Sequence, residues 1–177
     1  MAVRPIELED RAGLAAAFTR LSPESRHRRF GAPKPRLSGS ELTFLTDVDH
    51  HRHEALVAIE PVTGRGVAVA RYVAFPHDPA MADVAVTVDD AWHGRGLGQA
   101  LAQLLLERAA AEGLERLHAT VAGDNVRALA LARRLGYEVC STGSGNVELQ
   151  RRTRARPVQR GCPGSRRPKG KPAPARR

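Results

Sequence analysis

The sequence predicts an α+β fold for residues 1–150, and three observations predict it. Three segments of strand-forming residues between positions 55 and 88 are joined by short turns, a pattern typical of an antiparallel meander. A glycine-rich loop then precedes a helix with an apolar stripe, and a second amphipathic helix ends at Gly136. The chain has 177 residues, of which 42% are hydrophobic and only 4% aromatic. We therefore expect one domain with a core of Ala, Leu and Val.

Spacing and capping signals predict the first three helices. Apolar residues at helical spacing predict a helix over residues 10–21. Ser22 is a suitable N-cap for the next helix, and Pro23 occupies its first position. Ser38, with Glu41 three residues later, has the capping-box pattern, which predicts a third, short helix.

Strands and two longer helices make up the rest of the domain. One helix runs from the Gly94 loop to about Glu112, and another begins at Asp124 as its N-cap. The stripe of the first of these helices consists of Leu97, Leu101, Leu104, Leu105 and the alkyl part of Arg108. The predicted strands cover residues 3–8, 55–60, 66–75, 82–88, 114–121, 137–141 and 147–150. Turns at residues 61–64 and 76–79 separate the second, third and fourth strands.

Charge is divided unevenly along the chain. The net charge is +9, yet residues 151–177 contain 11 of the 28 Lys and Arg residues and no acidic residue. Residues 1–150 are slightly acidic, with 17 basic and 19 acidic residues. Because residues 151–177 have few apolar side chains, we expect a disordered basic tail. Such a tail binds nucleic acid weakly and without sequence preference, or serves only as a solubilising extension.

The sequence lacks the features of membrane and secreted proteins. No apolar run approaches the ~20 residues that span a bilayer. The first ten residues lack an apolar signal core and already contain acidic residues. We therefore expect a cytoplasmic protein with no membrane partner.

Neither the cysteines nor the histidines predict a metal site. Two cysteines, Cys140 and Cys162, exclude a disulfide scaffold and a four-cysteine zinc site, and we expect Cys140 to be a small buried residue. Histidines at residues 50–53 follow two aspartates, but contiguous residues rarely converge on one ion. We expect a solvated loop there and no metal.

The stretch from Val86 to Leu101 has the clearest chemical signal. A strand ends, glycines stand at positions 94, 96 and 98, and a helix begins. Glycines let backbone N–H groups approach a ligand, and a helix N-terminus adds unpaired donors, so the pattern predicts a cradle for a pyrophosphate. A P-loop is excluded because Gln99 follows Gly98. A Rossmann fold is excluded because the preceding strands form a meander and Glu115 begins the next strand.

Two spaced motifs resemble the GNAT superfamily of acetyl-CoA-dependent N-acetyltransferases. The segment His93-Gly-Arg-Gly-Leu-Gly98 is similar to the family's Gln/Arg-x-x-Gly-x-Gly/Ala signature, with His in the first position. The segment from Asn125 to Tyr137 is similar to the family's Asn-x-x-Ala-x-x-Leu-x-x-x-x-Gly-Phe/Tyr helix. The resemblance covers residues 1–150 and implies an α/β/α sandwich. Its sheet would be mixed and mostly antiparallel, with six to seven strands and about four helices.

The resemblance also implies how acetyl-CoA would bind as a cosubstrate. Main-chain groups at Val86 and Val88 would pair with the pantetheine arm. Backbone amides of the loop would hold the pyrophosphate, namely those of Gly94, Arg95, Gly96, Leu97, Gly98 and Gln99. Asn125 would contact the cofactor where it leaves the cleft, unless it acts as a helix N-cap beside Asp124. Many relatives have a tyrosine that protonates the leaving thiolate where this chain has Ala132, so another group or water must act.

A second resemblance concerns the acceptor and the base. Segments within residues 21–58 are similar to the catalytic domain of bacterial protein lysine acetyltransferases, in which a glutamate before the glycine loop is the general base. Asp83 stands at that position, although a solvated aspartate, with a reference pKa of about 3.9, is a weak base. His118 is the rival base, because the reference pKa of histidine, about 6.5, suits the task. It lies on a strand expected to splay from residues 82–88. Either residue could instead be structural, as a surface carboxylate or a hydrogen-bonded, partly buried histidine.

We expect an enzyme that transfers an acetyl group from acetyl-CoA to a primary amine, with a protein lysine as the first candidate acceptor. The amine would attack the thioester directly and Asp83 would take its proton. Polar groups of a bulged strand near Val86–Val88 would stabilise the oxyanion. Two alternatives are a small-molecule amine acetyltransferase and a non-catalytic acyl-CoA sensor whose tail docks on nucleic acid.

Overall fold

The computed structural model describes residues 1–153, which form a seven-stranded sheet with helices on both faces. The strands are β1 (Ala2–Pro5), β2 (His53–Ile59), β3 (Gly66–Phe75), β4 (Asp78–Val88), β5 (Arg116–Ala122), β6 (Glu138–Gly143) and β7 (Asn146–Arg152). The helices are α1 (Arg11–Arg20), α2 (Pro23–Phe30), α3 (Gly39–Thr46), α4 (Leu97–Ala111) and α5 (Val126–Arg134).

The topology confirms the predicted α+β class and the α/β/α sandwich. The strand order is β1-β2-β3-β4-β5-β7-β6, and every neighbouring pair is antiparallel except β4 and β5. The sheet has seven strands, as predicted, and the described residues contain five α-helices where about four were expected.

The ends of several elements differ from the prediction. β1 ends at Pro5 because a 3₁₀ turn at Leu8–Asp10 follows it. β4 begins at Asp78, inside the predicted turn at 76–79, because this residue already pairs with β3. β7 continues to Arg152 beside β5, so the domain extends beyond the boundary predicted at position 150.

Local sequence signals correctly predict two of the helix caps. Ser22 caps α2 through its hydroxyl oxygen. Ser38 and Glu41 form a reciprocal capping box at α3, in which each side chain accepts from the other's backbone amide at 3.2 and 2.8 Å. The predicted cap at Asp124 is wrong, because Asn125 caps α5.

Different helices cover the two faces of the sheet. α4 and α5 pack on one face over fully buried side chains that include Tyr72, Leu101, Leu105 and Leu117. α1, α2 and α3 cover the other face. The predicted stripe of α4 is wrong at Leu104, which is 40% exposed because it lies beside the row of buried leucines spaced four residues apart.

A buried carboxylate joins the sheet to α4. Glu54 of β2 is completely buried, and its oxygens accept from Arg108 Nη2 (2.8 Å), His50 Nδ1 (2.8 Å) and the amide of Ala55 (2.9 Å). The sequence predicts only an alkyl contact for Arg108, whereas its guanidinium balances a charge in the core. A buried carboxylate of this kind depends on its partners.

Residues 50–52 form a loop in which His51 and Arg52 are exposed, as predicted, but the prediction of a solvated loop is wrong for His53. His53 starts β2 and is buried, and its Nε2 lies 3.1 Å from Arg71 Nη1. Cys140 is also placed differently, because it is exposed on the edge strand β6. Within residues 1–153, no three His, Cys, Asp or Glu side chains are grouped so as to hold a metal ion.

Residues 154–177, including Cys162, lie outside the described part of the chain. Disorder and nucleic-acid contact for that segment stay predictions. In the described part, no helix is long and apolar enough to cross a membrane.

Replacement of Arg108 by methionine should destabilise the domain, because it removes the cation that balances buried Glu54. We expect the free energy of unfolding in urea to fall by about 2–4 kcal/mol, somewhat below the usual cost of stranding a buried charge, because His50 remains. The matched control is Arg28→Met, which breaks an exposed pair with Glu24 and should cost less than about 0.5 kcal/mol. Equal losses in the two variants would show that Glu54 does not need Arg108.

Candidate active site

β4 and β5 pair over only three residues and then separate. Met81, Ala82 and Asp83 pair in parallel with residues 116–118, and in the described chain β5 continues beside β7 alone. β4 meanwhile continues beside β3 to Val88. A wedge-shaped cleft therefore opens between β4 and β5, which confirms the predicted splaying of the two strands.

The edge of β4 that faces this cleft presents free main-chain groups. Asp89 donates its amide to the carbonyl of Val67 on the β3 side (2.8 Å), and successive residues of a strand direct their N–H and C=O groups to opposite sides. The amides and carbonyls of Val86 and Val88 consequently face the cleft, beyond the last residue pair that joins β4 to β5. An extended pantetheine arm would need such an edge to pair with β4 as an added strand.

The predicted bulge near Val86–Val88 is wrong. The register of β3 with β4 is uninterrupted from Ala82 to Val88, and the irregularity of β4 lies at residues 79–81. The free groups in the cleft come instead from the separation of β4 and β5. One of them is engaged, since His93 Nε2 donates to the Val88 carbonyl (3.0 Å).

The loop between β4 and α4 has a backbone shape that favours glycine. Gly94 and Gly96 both have a φ of 76°, in the left-handed region. Ala100 donates the first backbone hydrogen bond of α4, to Gly96 (3.0 Å), so the amides of residues 97–99 have no carbonyl partner within the helix. These amides and the helix dipole favour an anion at this point.

Gly98 contributes close packing. A Cβ there would lie 3.3 Å from Val88 Cγ2 and 3.8 Å from Leu131 Cδ2, so the absence of a side chain lets α4 begin directly against β4 and α5. The cleft edge of β4 and the N-terminus of α4 thus form one surface. Its free main-chain groups and helix N-terminus are of the kinds that pair with an extended ligand and hold an anion. Arg95, stacked on Trp92 at 4.7 Å, is an exposed cation beside the same loop.

Asp83 and His118 meet where the cleft begins. They are paired in register on β4 and β5, and His118 Nδ1 donates to Asp83 Oδ1 at 3.1 Å. The side chain of Asp83 is 51% exposed and that of His118 is 19% exposed. This contact leaves Asp83 Oδ2 and His118 Nε2 as the atoms that can accept a proton. The two rival bases are therefore one hydrogen-bonded pair.

α5 carries the remaining residues that the sequence places in the site. Asn125 Oδ1 accepts from the amide of Ala128 (3.1 Å), so its side chain caps α5, and its Nδ2 is left for any ligand contact. Ala132 is buried and supplies no hydroxyl. The hydroxyl of Tyr137 is buried without a hydrogen-bond partner among residues 1–153, and burial raises its pKa. Protein encloses this hydroxyl, so it does not replace the missing tyrosine at position 132.

Two aspartates connect the glycine loop to the first helices. Asp89 accepts from Arg20 Nε (2.8 Å), and Asp90 accepts from the Ser22 amide (2.7 Å) and the Ser25 hydroxyl (2.6 Å). The partners are 65 to 69 residues apart in sequence, so no local pattern predicts these contacts.

A cavity of about 290 Å³ lies between the sheet and the first helices. Its walls are mostly apolar and include Leu14, Phe18, Val57, Val69 and Ala85. Ala85 follows Asp83 by two residues on the same face of β4, so the cavity adjoins the Asp83–His118 pair. Arg29 and Arg71 also line it. Sequence reasoning missed both arginines, because Arg29 lies among other arginines of a polar helix and Arg71 lies within an apolar strand.

The guanidinium groups of these two arginines are poorly solvated. Burial, and then the Arg29 charge, lowers the pKa of Arg71 to about 9. Burial also lowers the pKa of Arg29, and the nearby Asp83 carboxylate opposes this effect. Arg71 donates to the Leu45 carbonyl (3.0 Å) and to His53 Nε2 (3.1 Å). Burial, and then the Arg71 charge, lowers the pKa of His53 to about 4, so His53 is a neutral acceptor.

Known proteins share this architecture. The GNAT domain of PAT from S. lividans superposes with a TM-score of 0.79 and 30% identity, covering 85% of this chain and 89% of that domain. Acetyltransferase Pat of Mycolicibacterium smegmatis is 37% identical over 116 residues, which are 65% of this chain and 34% of that protein. An acetyltransferase of Pseudomonas aeruginosa is 31% identical over 137 residues, covering 76% of this chain and 73% of the relative. The chain thus spans about a third of the mycobacterial relative.

The sequence model of the Acetyltransferase (GNAT) family matches residues 18–137, which include the cleft, the glycine loop and the Asp83–His118 pair. Acetyl-CoA is the acyl donor of this family. Together with the fold, this match shows that the chain belongs to the GNAT acetyltransferase family.

Proposed function

We propose that the protein transfers the acetyl group of acetyl-CoA to a primary amine. The observation that carries the proposal is the position of the Asp83–His118 pair. It stands where the cofactor cleft opens, and it adjoins the cavity that would receive the acceptor.

The donor would lie along β4. The amides from Gly94 to Gln99 would hold its pyrophosphate, and the cleft-facing groups of Val86 and Val88 would pair with its pantetheine arm. The arm would then run from the N-terminus of α4 back along β4, which brings the thioester towards Asp83.

Transfer needs a deprotonated amine, because a lysine amine has a reference pKa of about 10.4. Its nitrogen attacks the thioester carbonyl carbon, a C–N bond forms, the C–S bond breaks, and coenzyme A leaves as a thiolate. The cleft-facing amides of β4 would stabilise the oxyanion. Since Ala132 supplies no acid, water would protonate the thiolate.

Asp83 is the proposed proton acceptor. It is half exposed, and its charge reaches Arg29 in the cavity, whereas His118 is more buried. The hydrogen bond from His118 holds Oδ1, so Oδ2 would take the amine proton directly or through one water. The imidazole is the stronger base of the two side-chain types and is therefore the competitor.

Protein lysine is the acceptor that we propose first. Support comes from the resemblance of segments within residues 21–58 to protein lysine acetyltransferases. Purified protein incubated with labelled acetyl-CoA and a cell extract should transfer label to lysines, located by mass spectrometry. Label confined to small molecules would show that the acceptor is a metabolite amine and not a protein lysine. No label in either fraction would contradict acetyl transfer and favour acyl-CoA sensing.

The variant Asp83→Asn should lower kcat by about 10²–10⁴-fold, because it removes the proton acceptor. Its affinity for acetyl-CoA, measured by calorimetry, should stay unchanged. The matched control is Asp78→Asn on the same strand, which loses only a half-exposed ion pair with Arg116 and should keep wild-type kcat. Unchanged kcat in Asp83→Asn would exclude this carboxylate from the chemistry.

His118→Gln and the double variant identify which member of the pair takes the proton. If Asp83 is the base, His118→Gln should lower kcat by about tenfold or less, since glutamine can still donate to Oδ1. The imidazole is the base, and Asp83 orients it, if His118→Gln lowers kcat as much as Asp83→Asn does and the double variant lowers kcat no further.

Gly98→Val should weaken acetyl-CoA binding by about tenfold or more, because overpacking pushes α4 away from β4 and opens the anion cradle. The dissociation constant can be measured by calorimetry. Gly143→Val is the control, since a Cβ at Gly143 would meet nothing within 4 Å. Equal affinities in the two variants would contradict a cradle at the N-terminus of α4.

A further inference from the structure

Three arginines of the cavity wall form no ion pair among residues 1–153: Arg65 is exposed, Arg29 is half-buried and Arg71 is buried. The two shielded ones, Arg29 and Arg71, need an explanation. Arg4 and Arg20 also line the cavity, and they hold Asp10 and Asp89 at 2.7 and 2.8 Å. No carboxylate oxygen of residues 1–153 lies within 4.0 Å of a guanidinium nitrogen of Arg29 or Arg71. The partners of Arg71 are neutral, a carbonyl and His53.

Two like charges in one apolar cavity are costly unless an anion joins them. Burial removes solvation from both guanidinium groups, and each repels the other. The Asp83 carboxylate offsets part of this cost at Arg29, but it forms no ion pair with either arginine and is hydrogen-bonded to His118. A carboxylate in the cavity could accept paired N–H bonds from guanidinium groups, which are suited to planar oxyanions.

We propose that Arg29 and Arg71 bind a carboxylate of the acceptor, so that the substrates are compact amines carrying a carboxylate. This inference rests on the proposed function and names its substrate class. The volume of about 290 Å³ is at the small end of ligand sites, which restricts the part of the acceptor that enters. The carboxylate belongs either to a free amino acid or to an acidic residue beside a lysine.

The orientation of the acceptor follows from this arrangement. Arg71 and Asp83 project from the same face of neighbouring strands, because Arg71 pairs with Ala85 and Asp83 pairs with Val73. A carboxylate held at the arginines therefore leaves the amine of the same molecule within the region of the proposed base. The arginines would thus position the nucleophile as well as select it.

The test compares matched acceptors that differ only in charge. One arm uses free L-amino acids and the ω-amino acids β-alanine and 4-aminobutyrate, each against its carboxamide. The other arm uses lysine peptides with Asp or Asn beside the lysine. In at least one arm kcat/KM should favour the carboxylate by about tenfold to a hundredfold, as expected for hydrogen bonds to a charged group. The arm that shows the preference identifies the source of the carboxylate.

Variants of Arg29 connect this preference to the cavity. Arg29→Gln should abolish the preference in kcat/KM for the acid over its amide, and Arg29→Lys should keep most of that preference. The control Arg28→Gln, on the exposed side of the same helix, should behave as wild type. If Arg29→Gln lowers the rates for acid and amide equally, Arg29 has only a structural role and the proposal is overturned. Circular dichroism checks that α2 remains folded.

Measurements of acceptor binding distinguish an error in the carboxylate site from an error in the proposed acetyl transfer. Calorimetry with 4-aminobutyrate and its amide, in the presence of coenzyme A, should detect only the acid, and only when Arg29 is intact. Selective binding without turnover would retain the carboxylate site and reject acetyl transfer. Turnover with equal rates for acid and amide in both arms would retain acetyl transfer and overturn the carboxylate site.

Discussion

The short parallel contact between β4 and β5 is the constraint on which the candidate site depends. Three residue pairs hold the strands together, and the last of them is Asp83 with His118. Because pairing stops there, the edge of β4 towards Val88 keeps its main-chain groups free for an extended ligand. A longer contact would close the cleft, and a shorter one would separate the two titratable side chains. One feature of strand pairing therefore places both the proposed cofactor edge and the proposed proton acceptor.

The two faces of the sheet have different physical tasks. On the α4 face, small and aliphatic side chains allow close approach, as at Gly98, where a Cβ would lie only 3.3 Å from Val88 Cγ2. On the opposite face, an apolar cavity retains two shielded arginines, Arg29 and Arg71, that have no carboxylate partner among residues 1–153. The sheet thus separates a region suited to the phosphates and pantetheine of the donor from one suited to a compact charged acceptor. Asp83 stands at the boundary between the two regions.

Local chemistry made part of this molecule predictable. The caps at Ser22 and Ser38 depend on neighbours within a few residues, as do the short turns that mark the meander. The strand register depends on contacts across the fold, so the sequence presented Asp83 and His118 as rivals although they are hydrogen-bonded. The same limit explains the missed arginines of the cavity and the misplaced bulge. Burial of single side chains was equally hard to predict, as Cys140 shows by lying exposed on an edge strand.

The aspartates that follow β4 connect the glycine loop mechanically to the helices that cover the cavity. Asp90 binds the N-terminus of α2 through Ser22 and Ser25, and its neighbour Asp89 holds the end of α1. If binding of acetyl-CoA shifts the glycine loop, α1 and α2, which cover the proposed acceptor cavity, would therefore move with it. Occupancy of one compartment would then alter the affinity of the other, and thermodynamic linkage requires the effect to be equal in both directions. Such reciprocity couples the two binding events in a ternary complex, whichever ligand binds first.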